Sequence, residues 1–122
     1  NQIEVHPSFA NPAVAATTER GIAVQAWSPL ASGKLLDDAA VALVAGEVGA
    51  SPAQTILAWH LAAGRIILPK SVTPSRIAEN LASGDVVLNA DQIARLDALD
   101  QGEAGRTGPD PDVFDWRPAA SA

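Results

Sequence analysis

Cysteine and methionine are both absent from this chain of 122 residues. Without cysteine no disulfide and no thiolate metal site can form. The only two histidines, His6 and His60, are too few for a histidine-rich metal centre, so no metal site is expected. Basic residues are scarce as well: 8 Lys and Arg stand against 14 Asp and Glu, a net charge of −6. That balance argues against a general nucleic-acid-binding face but leaves room for a local basic cluster that holds one phosphate. No apolar run approaches the ~20 residues that a bilayer crossing requires. No basic, apolar, small-residue leader opens the chain. These absences lead us to expect an acidic, soluble, cytoplasmic protein with neither nucleic acid nor membrane as partner. The missing Met, together with an opening Asn-Gln-Ile-Glu-Val that already reads as a strand, leads us to expect a piece of a longer polypeptide.

What is present can build a core. Apolar residues make up 48% of the chain and charged residues 18%, which excludes wholesale disorder and fits one domain. Asn1–Val5 reads as a strand that ends at a His6-Pro7 turn. Asn11 as N-cap and Pro12 at the first helical position predict a helix to about Arg20, closed by Gly21. Ile22–Trp27 reads as a second strand, and Pro29 and Gly33 then break the chain into a loop. A weakly helical stretch covers about Asp38–Val48. Ser51-Pro52-Ala53-Gln54 carries a capping box for a helix that ends at Gly64.

Arg65–Leu68 is a continuous apolar run between Gly64 and Pro69, which suits a strand buried on both faces. Thr73-Pro74 starts a helix to about Ser83, and residues 86–88 form an extended link. Asn89–Gln92 caps a last helix whose inner face carries Ile93, Leu96 and Leu99. Beyond Gln101 the chain is rich in Gly, Pro and Asp and reads as irregular, with Phe114 and Trp116 as anchors. No internal repeat or low-complexity segment is found. The order strand, helix, strand, helices, strand, helices predicts parallel strands with helical crossovers, an α/β fold. A closed (β/α)₈ barrel needs about 250 residues, roughly twice what is here.

Ligands of parallel α/β folds bind outside the carboxyl ends of the strands, so three loops matter. The one after Leu68 is the most informative. Lys70 offers a point charge, and Ser71 and the amides of the following helix start can donate to phosphate oxygens. Arg76 sits in the first helical turn, with Glu79 and Asn80 three and four residues on. Such a set can hold a phosphorylated ribose and a purine edge. It also suits an ordinary solvated helix. In the loop after the second strand, Trp27 can offer a stacking face or simply pack beneath the loop. Gln2 can bind a carboxamide or fill a polar layer. His6 reads as a turn residue, His60 as structural, and Glu4 as an acid with no partner carboxylate nearby in sequence.

NQIEVHP, AWSPLASGKL and ILPKSVTPSRIAEN, in this order and at these separations, resemble the aldo-keto reductase superfamily, and within it the bacterial 2,5-diketo-D-gluconate reductase type. The resemblance covers residues 1–116, with 117–122 as a tail. It implies the carboxyl-terminal portion of a (β/α)₈ TIM barrel, about strands six to eight with their helices. It also implies NADPH-dependent reduction of aldehydes and ketones to alcohols, with a small carbonyl substrate. Gln2 then holds the nicotinamide carboxamide and Trp27 stacks on the ring. Ser28, Leu30 and Ser32 meet the pyrophosphate. Lys70, Ser71, Val72, Thr73 and Arg76 clamp the 2′-phosphate, which favours NADPH over NADH. Glu79 and Asn80 meet the adenine, and Phe114 and Trp116 line the substrate pocket. The family's catalytic Asp, Tyr, Lys and His have no matching motif here, so the chain is expected to carry the cofactor cradle and no catalytic residue. It would then act only with the missing amino-terminal half. A catalytically silent nucleotide-binding or structural piece, self-associating through open strand edges, is the competing expectation.

Overall fold

A computed structural model describes residues 1–115. Three short parallel strands form one sheet in the order β1 (Gln2–Glu4), β2 (Gln25–Trp27), β3 (Ile66–Ile67). Gln2 pairs with Gln25, Ile3 with Ala26 and Glu4 with Trp27; Gln25 and Ala26 pair onward with Ile66 and Ile67. Helices fill the connections: α1 (Ala13–Thr18), α2 (Ala39–Val48), α3 (Pro52–Ala62), α4 (Pro74–Leu81) and α5 (Ala90–Asp97). Short 3-10 turns cover Ala31–Gly33, Ala82–Asp85 and Gly102–Gly105. The parallel crossover order expected from the sequence is therefore present. None of the described helices is by itself long and apolar enough to cross a membrane.

The helix starts follow from side-chain chemistry. Asp38 accepts hydrogen bonds from the amides of Ala40 and Val41, at 2.8 and 3.2 Å. Ser51 with Gln54 and Asn89 with Gln92 form two complete capping boxes. α1 begins one residue later than expected. Asn11 takes a left-handed conformation, its side chain accepts from Ala13 N–H at 3.0 Å, and Pro12 becomes the boundary residue instead of the first helical one. A short Asx turn thus replaces the N-cap.

The period of two along each strand divides the sheet into two unlike faces. Ile3, Val5, Val24, Ala26 and Ile67 turn toward the helices. Val5, Val24 and Ala26 join Val41, Val44, Ile56, Trp59 and Leu96 in the core. The other face carries Gln2, Glu4, Gln25, Trp27, Ile66 and Leu68. Expectation and structure part here. Ile66 is 49% and Leu68 47% exposed, so the RIIL run is not buried on both faces. Among the described residues the helices cover one side of the sheet only, and β3 lies at its edge. Likewise the second strand is three residues long, although the chain before it continues the sheet: Val24 C=O accepts from Ile66 N–H at 2.9 Å.

The helix layer is tied together by polar contacts at its rim. Trp59 Nε1 donates to Asp97 Oδ1 at 2.7 Å, joining α3 to α5, and the Arg65 guanidinium lies 4.4 Å over the Trp59 ring. Glu47 of α2 receives both Arg95 and Gln92 of α5. His60 is fully buried, with Nε2 on the Pro29 carbonyl at 3.1 Å. Burial pushes its pKa down to about 3, which leaves a neutral core histidine as the sequence led us to expect.

Candidate functional site

Among the described residues, one cleft along β1 and Trp27 and two beyond the carboxyl ends of β2 and β3 gather most of the residues singled out in the sequence. The first, about 420 Å³, holds Gln2 and Trp27 with Glu4, Arg106, Pro109 and Phe114 on its walls. The second, about 440 Å³, is lined by Ser28, Leu30, Ser32, Lys70 and Arg76. The third, about 220 Å³, is lined by Leu30, Ser51, Lys70, Ser71, Arg76, Glu79 and Asn80. Leu30, Leu36, Lys70 and Arg76 line both of the last two, so these form one continuous trough. Val72 and Thr73 line none of the three, and Val72 is 79% exposed. Trp116 lies outside the described residues.

The trough is cationic. Lys70 leaves β3 through Pro69, and Arg76 sits in the first turn of α4, so the two charges approach it from a loop and from a helix start. Among the described residues neither side chain has an ion-pair or hydrogen-bond partner. Thr73 N–H is occupied by Ser71 Oγ at 3.2 Å, which shapes the turn. The positive end of the α4 dipole adds to the same potential. Among the described residues Glu79 forms no ion pair with either cation; Ser51 Oγ donates to its carboxylate and Gln54 Nε2 donates to its backbone carbonyl at 3.2 Å. The α3 capping box thereby anchors α4 and fixes the wall on which Asn80 sits.

The opposite wall is a strained loop. Ser28, Ala31 and Ser32 all have positive φ, of 48°, 50° and 54°. Non-glycine residues adopt this region at a steric cost, and three in five positions bend the loop tightly toward the trough. Ala31 N–H to Ser28 C=O, at 2.9 Å, and Gly33 N–H to Leu30 C=O, at 2.8 Å, hold the bend.

Behind Glu4, on the wall of the first cleft, lies a buried polar cluster that the sequence did not reveal. His6 is buried inside a tight turn closed on Phe9, in hydrogen-bond contact with Glu4 on one side and Ser8 on the other, both at 3.0 Å. Burial lowers its pKa more than Glu4 raises it. The neutral ring then donates from Nε2 to Glu4 and accepts at Nδ1 from Ser8. Glu4 takes donors from a region some hundred residues away. Thr107 N–H reaches Oε1 at 2.8 Å, Gly108 N–H reaches Oε2 at 3.0 Å, and the Thr107 hydroxyl also donates. Burial raises the Glu4 pKa, but these bonds outweigh it and hold the carboxyl below its ordinary value. No short-range sequence signal points to such a contact. Among the described residues no group of acidic and histidine side chains is arranged to hold a metal.

Comparison with known proteins places this geometry in context. The profile of the "Aldo/keto reductase family" matches residues 1–101. The methylglyoxal reductase DkgA of Salmonella typhimurium is 44% identical over 117 residues, covering 93% of this chain and 42% of its own length. The crystal structure of Gox0644 without ligand superposes with a TM-score of 0.90 at 38% identity, over 95% of this chain and 43% of that one. A variant of Gox0644 in complex with NADPH gives a TM-score of 0.89 at the same identity and coverage. The chain thus spans about two fifths of the length of these relatives. Its three strands and their helices correspond to a portion of an aldo-keto reductase TIM barrel.

Proposed function

Because the chain belongs to the aldo/keto reductase family, we propose that it supplies the cofactor-binding part of an NADPH-dependent reductase that converts small aldehydes or ketones to alcohols. The observation that carries this reading is the pair Lys70 and Arg76, two cations without partners among the described residues, which together line both clefts of one trough. A dinucleotide laid along the three clefts would meet the residues in a chemically sensible order. Glu79 and Asn80 would face the adenine. Lys70, Ser71 and Arg76, with Val72 and Thr73 in the same turn, would face the 2′-phosphate. Ser28, Leu30 and Ser32 would face the pyrophosphate, and Trp27 and Gln2 the nicotinamide. Only the phosphorylated cofactor offers the trough a dianion on the ribose, and charge-assisted bonds to such a group are the strong ones.

The bound cofactor would supply the hydride for carbonyl reduction. The chain's own residues would bind and orient: Gln2 through its amide, Trp27 through its ring face, and the cationic pair through charge. The carbonyl oxygen also needs a proton as the hydride arrives at carbon. The chain contains no tyrosine, and neither Lys70 nor the two histidines stands in the first cleft as a free proton donor. We therefore assign that proton to residues of the family's earlier strands and loops, and activity to the assembly of both parts. The proposed setting is the cytoplasm.

A second reading, a silent nucleotide-binding or structural piece that self-associates, draws on the exposed Ile66 and Leu68 and on the open β3 edge. Binding and activity separate the two. Titrating the chain with NADPH and with NADH, followed by tryptophan emission, should give saturable binding with NADPH the tighter ligand. Mixing in the amino-terminal part should then yield aldehyde reduction. No saturable binding of either dinucleotide would defeat the cradle. Binding without activity in the mixture would favour the silent reading.

A further inference from the structure

The loop at residues 106–108 lies against the open face of the sheet at Glu4 and Trp27. Upstream of it the segment is already attached to the β1 turn: Ala10 N–H donates to Asp100 Oδ1, and Gln101 N–H to Ser8 C=O, both at 3.1 Å. Gly105 sits so close to Ser8 that a Cβ there would lie 1.6 Å from the Ser8 carbonyl oxygen. Arg106 then stacks 4.5 Å over Phe9. At Thr107 and Gly108 the chain delivers two backbone amides and a hydroxyl to the Glu4 carboxylate, whose remaining neighbour is His6. Glu4 is only 2% exposed, so this carboxylate exists in the fold because the loop satisfies it.

The consequence lies on the next strand. Glu4 pairs in register with Trp27, and both side chains emerge on the same face. The bonds to Glu4 draw Gly108 onto the indole: a Cβ on Gly108 would stand 2.1 Å from Cη2 of Trp27 and 3.2 Å from Glu4 Oε2. Only a residue without a side chain can be held at this distance. We propose that Glu4 is a positioning residue, a carboxylate latch that docks Thr107 and Gly108 and thereby wedges the Trp27 ring at a fixed angle in the first cleft. The proposal rests on the reading that Trp27 is the face that receives the nicotinamide. The latch would then set where the reducible ring stands relative to the substrate space beside Phe114.

The test uses the whole chain carrying 5-fluorotryptophan. The fluorine resonances are assigned with Trp27→Phe and Trp116→Phe, which leaves Trp59 as a core reference. Glu4→Gln keeps the shape but turns an amide NH₂ toward the loop donors. Gly108→Ala leaves Glu4 intact and sets a methyl group against the ring, so it shows that the resonance reports this contact, while Thr107→Val, which removes a donor to Glu4 without adding an atom at Trp27, carries the test where Glu4→Gln does not fold. Glu4→Gln and Gly108→Ala should both shift or broaden the Trp27 resonance and leave the Trp59 resonance in place. Amide exchange over residues 104–110 should rise about tenfold, the equivalent of one lost charge-assisted bond. Thr107→Ser should behave as wild type, and Thr107→Val should fall between. A Trp27 resonance unmoved in folded Glu4→Gln, or in Thr107→Val where Glu4→Gln does not fold, would overturn the latch. Cofactor titration separates this from the parent reading. The latch variants should weaken NADPH and NADH by the same factor, because the wedge acts at the nicotinamide end. A wild-type chain that binds neither dinucleotide would refute the cradle, while the fluorine data would still decide the latch.

Discussion

The two ends of the clefts are built on opposite principles. Around Lys70 and Arg76 the trough is open, its cations lack partners among the described residues, and the groups belong to two neighbouring elements, a loop and the helix it enters. Around Glu4 the site is closed, and every acceptor is met by donors drawn from both ends of the chain. An unsatisfied charge at the surface costs little because water solvates it, and it remains available to a ligand. A buried carboxylate must be satisfied by the protein itself, so its partners are fixed before any ligand arrives. The first arrangement suits recognition and the second suits placement.

Removing the cations should break the open end and spare the closed one. Lys70→Ala with Arg76→Ala should weaken NADPH by about a hundredfold or more, since each charge-assisted bond contributes roughly 1.5–3 kcal/mol. The Trp27 environment should stay unchanged. Calorimetric titration beside fluorine spectra measures both.

Acid should attack the closed end and the core beneath it first. His60 is neutral when folded, with its pKa near 3, and takes a proton freely near its ordinary value of 6.5 when unfolded. Stability from this group is complete above about pH 6.5 and declines as pH falls toward 3, by an amount on the order of a few kcal/mol. His6, also lowered by burial, pulls in the same direction. Glu4 adds a later loss, because its folded pKa lies below its unfolded one and its contribution disappears only as pH falls through that lowered value. The groups facing Glu4 are His6 and the nearby Arg106. Chemical denaturation at pH 7 and at pH 4.5 should show the decline, whereas equal stability at both would show His60 to be solvated.

Smaller changes sharpen the contrast. Gly105→Ala must displace the Ser8 backbone and should cost about 2 kcal/mol, as overpacking does, with the loop released and the trough untouched. Ser51→Ala removes a helix cap and the hydroxyl bond to Glu79, and should cost about 1 kcal/mol, with a modest loss of dinucleotide affinity at the wall we propose for the adenine. Thermal melts paired with titrations distinguish the two.

The sequence was most legible where structure is local. Ser51 with Gln54 and Asn89 with Gln92 announced their helices because a cap and its partner lie three residues apart. The Lys70–Asn80 stretch could be read as an anion site for the same reason, since one loop and one helix carry nearly all of it. Where the structure departs, the cause is non-local. Arg65–Leu68 looked buried on both faces because apolar continuity does not say which neighbours cover a strand. Its second face is bare because the described helices all lie on the other side. The Glu4 latch was invisible because Thr107 and Gly108 lie 103 and 104 residues away, and neither is unusual for a loop. His6 sits in a turn, as its place before Pro7 implies, but nothing local announces that its ring is buried between Glu4 and Ser8.

We propose that Lys70 and Arg76 read the phosphate that distinguishes the two nicotinamide dinucleotides. Calorimetric dissociation constants for NADPH and NADH, on wild type and on the Lys70→Ala, Arg76→Ala double variant, test it most directly. The wild type should prefer NADPH clearly, and in the variant this preference should collapse toward unity with NADH affinity nearly unchanged. An equal loss for both cofactors, or a preference that survives without the two cations, would contradict it.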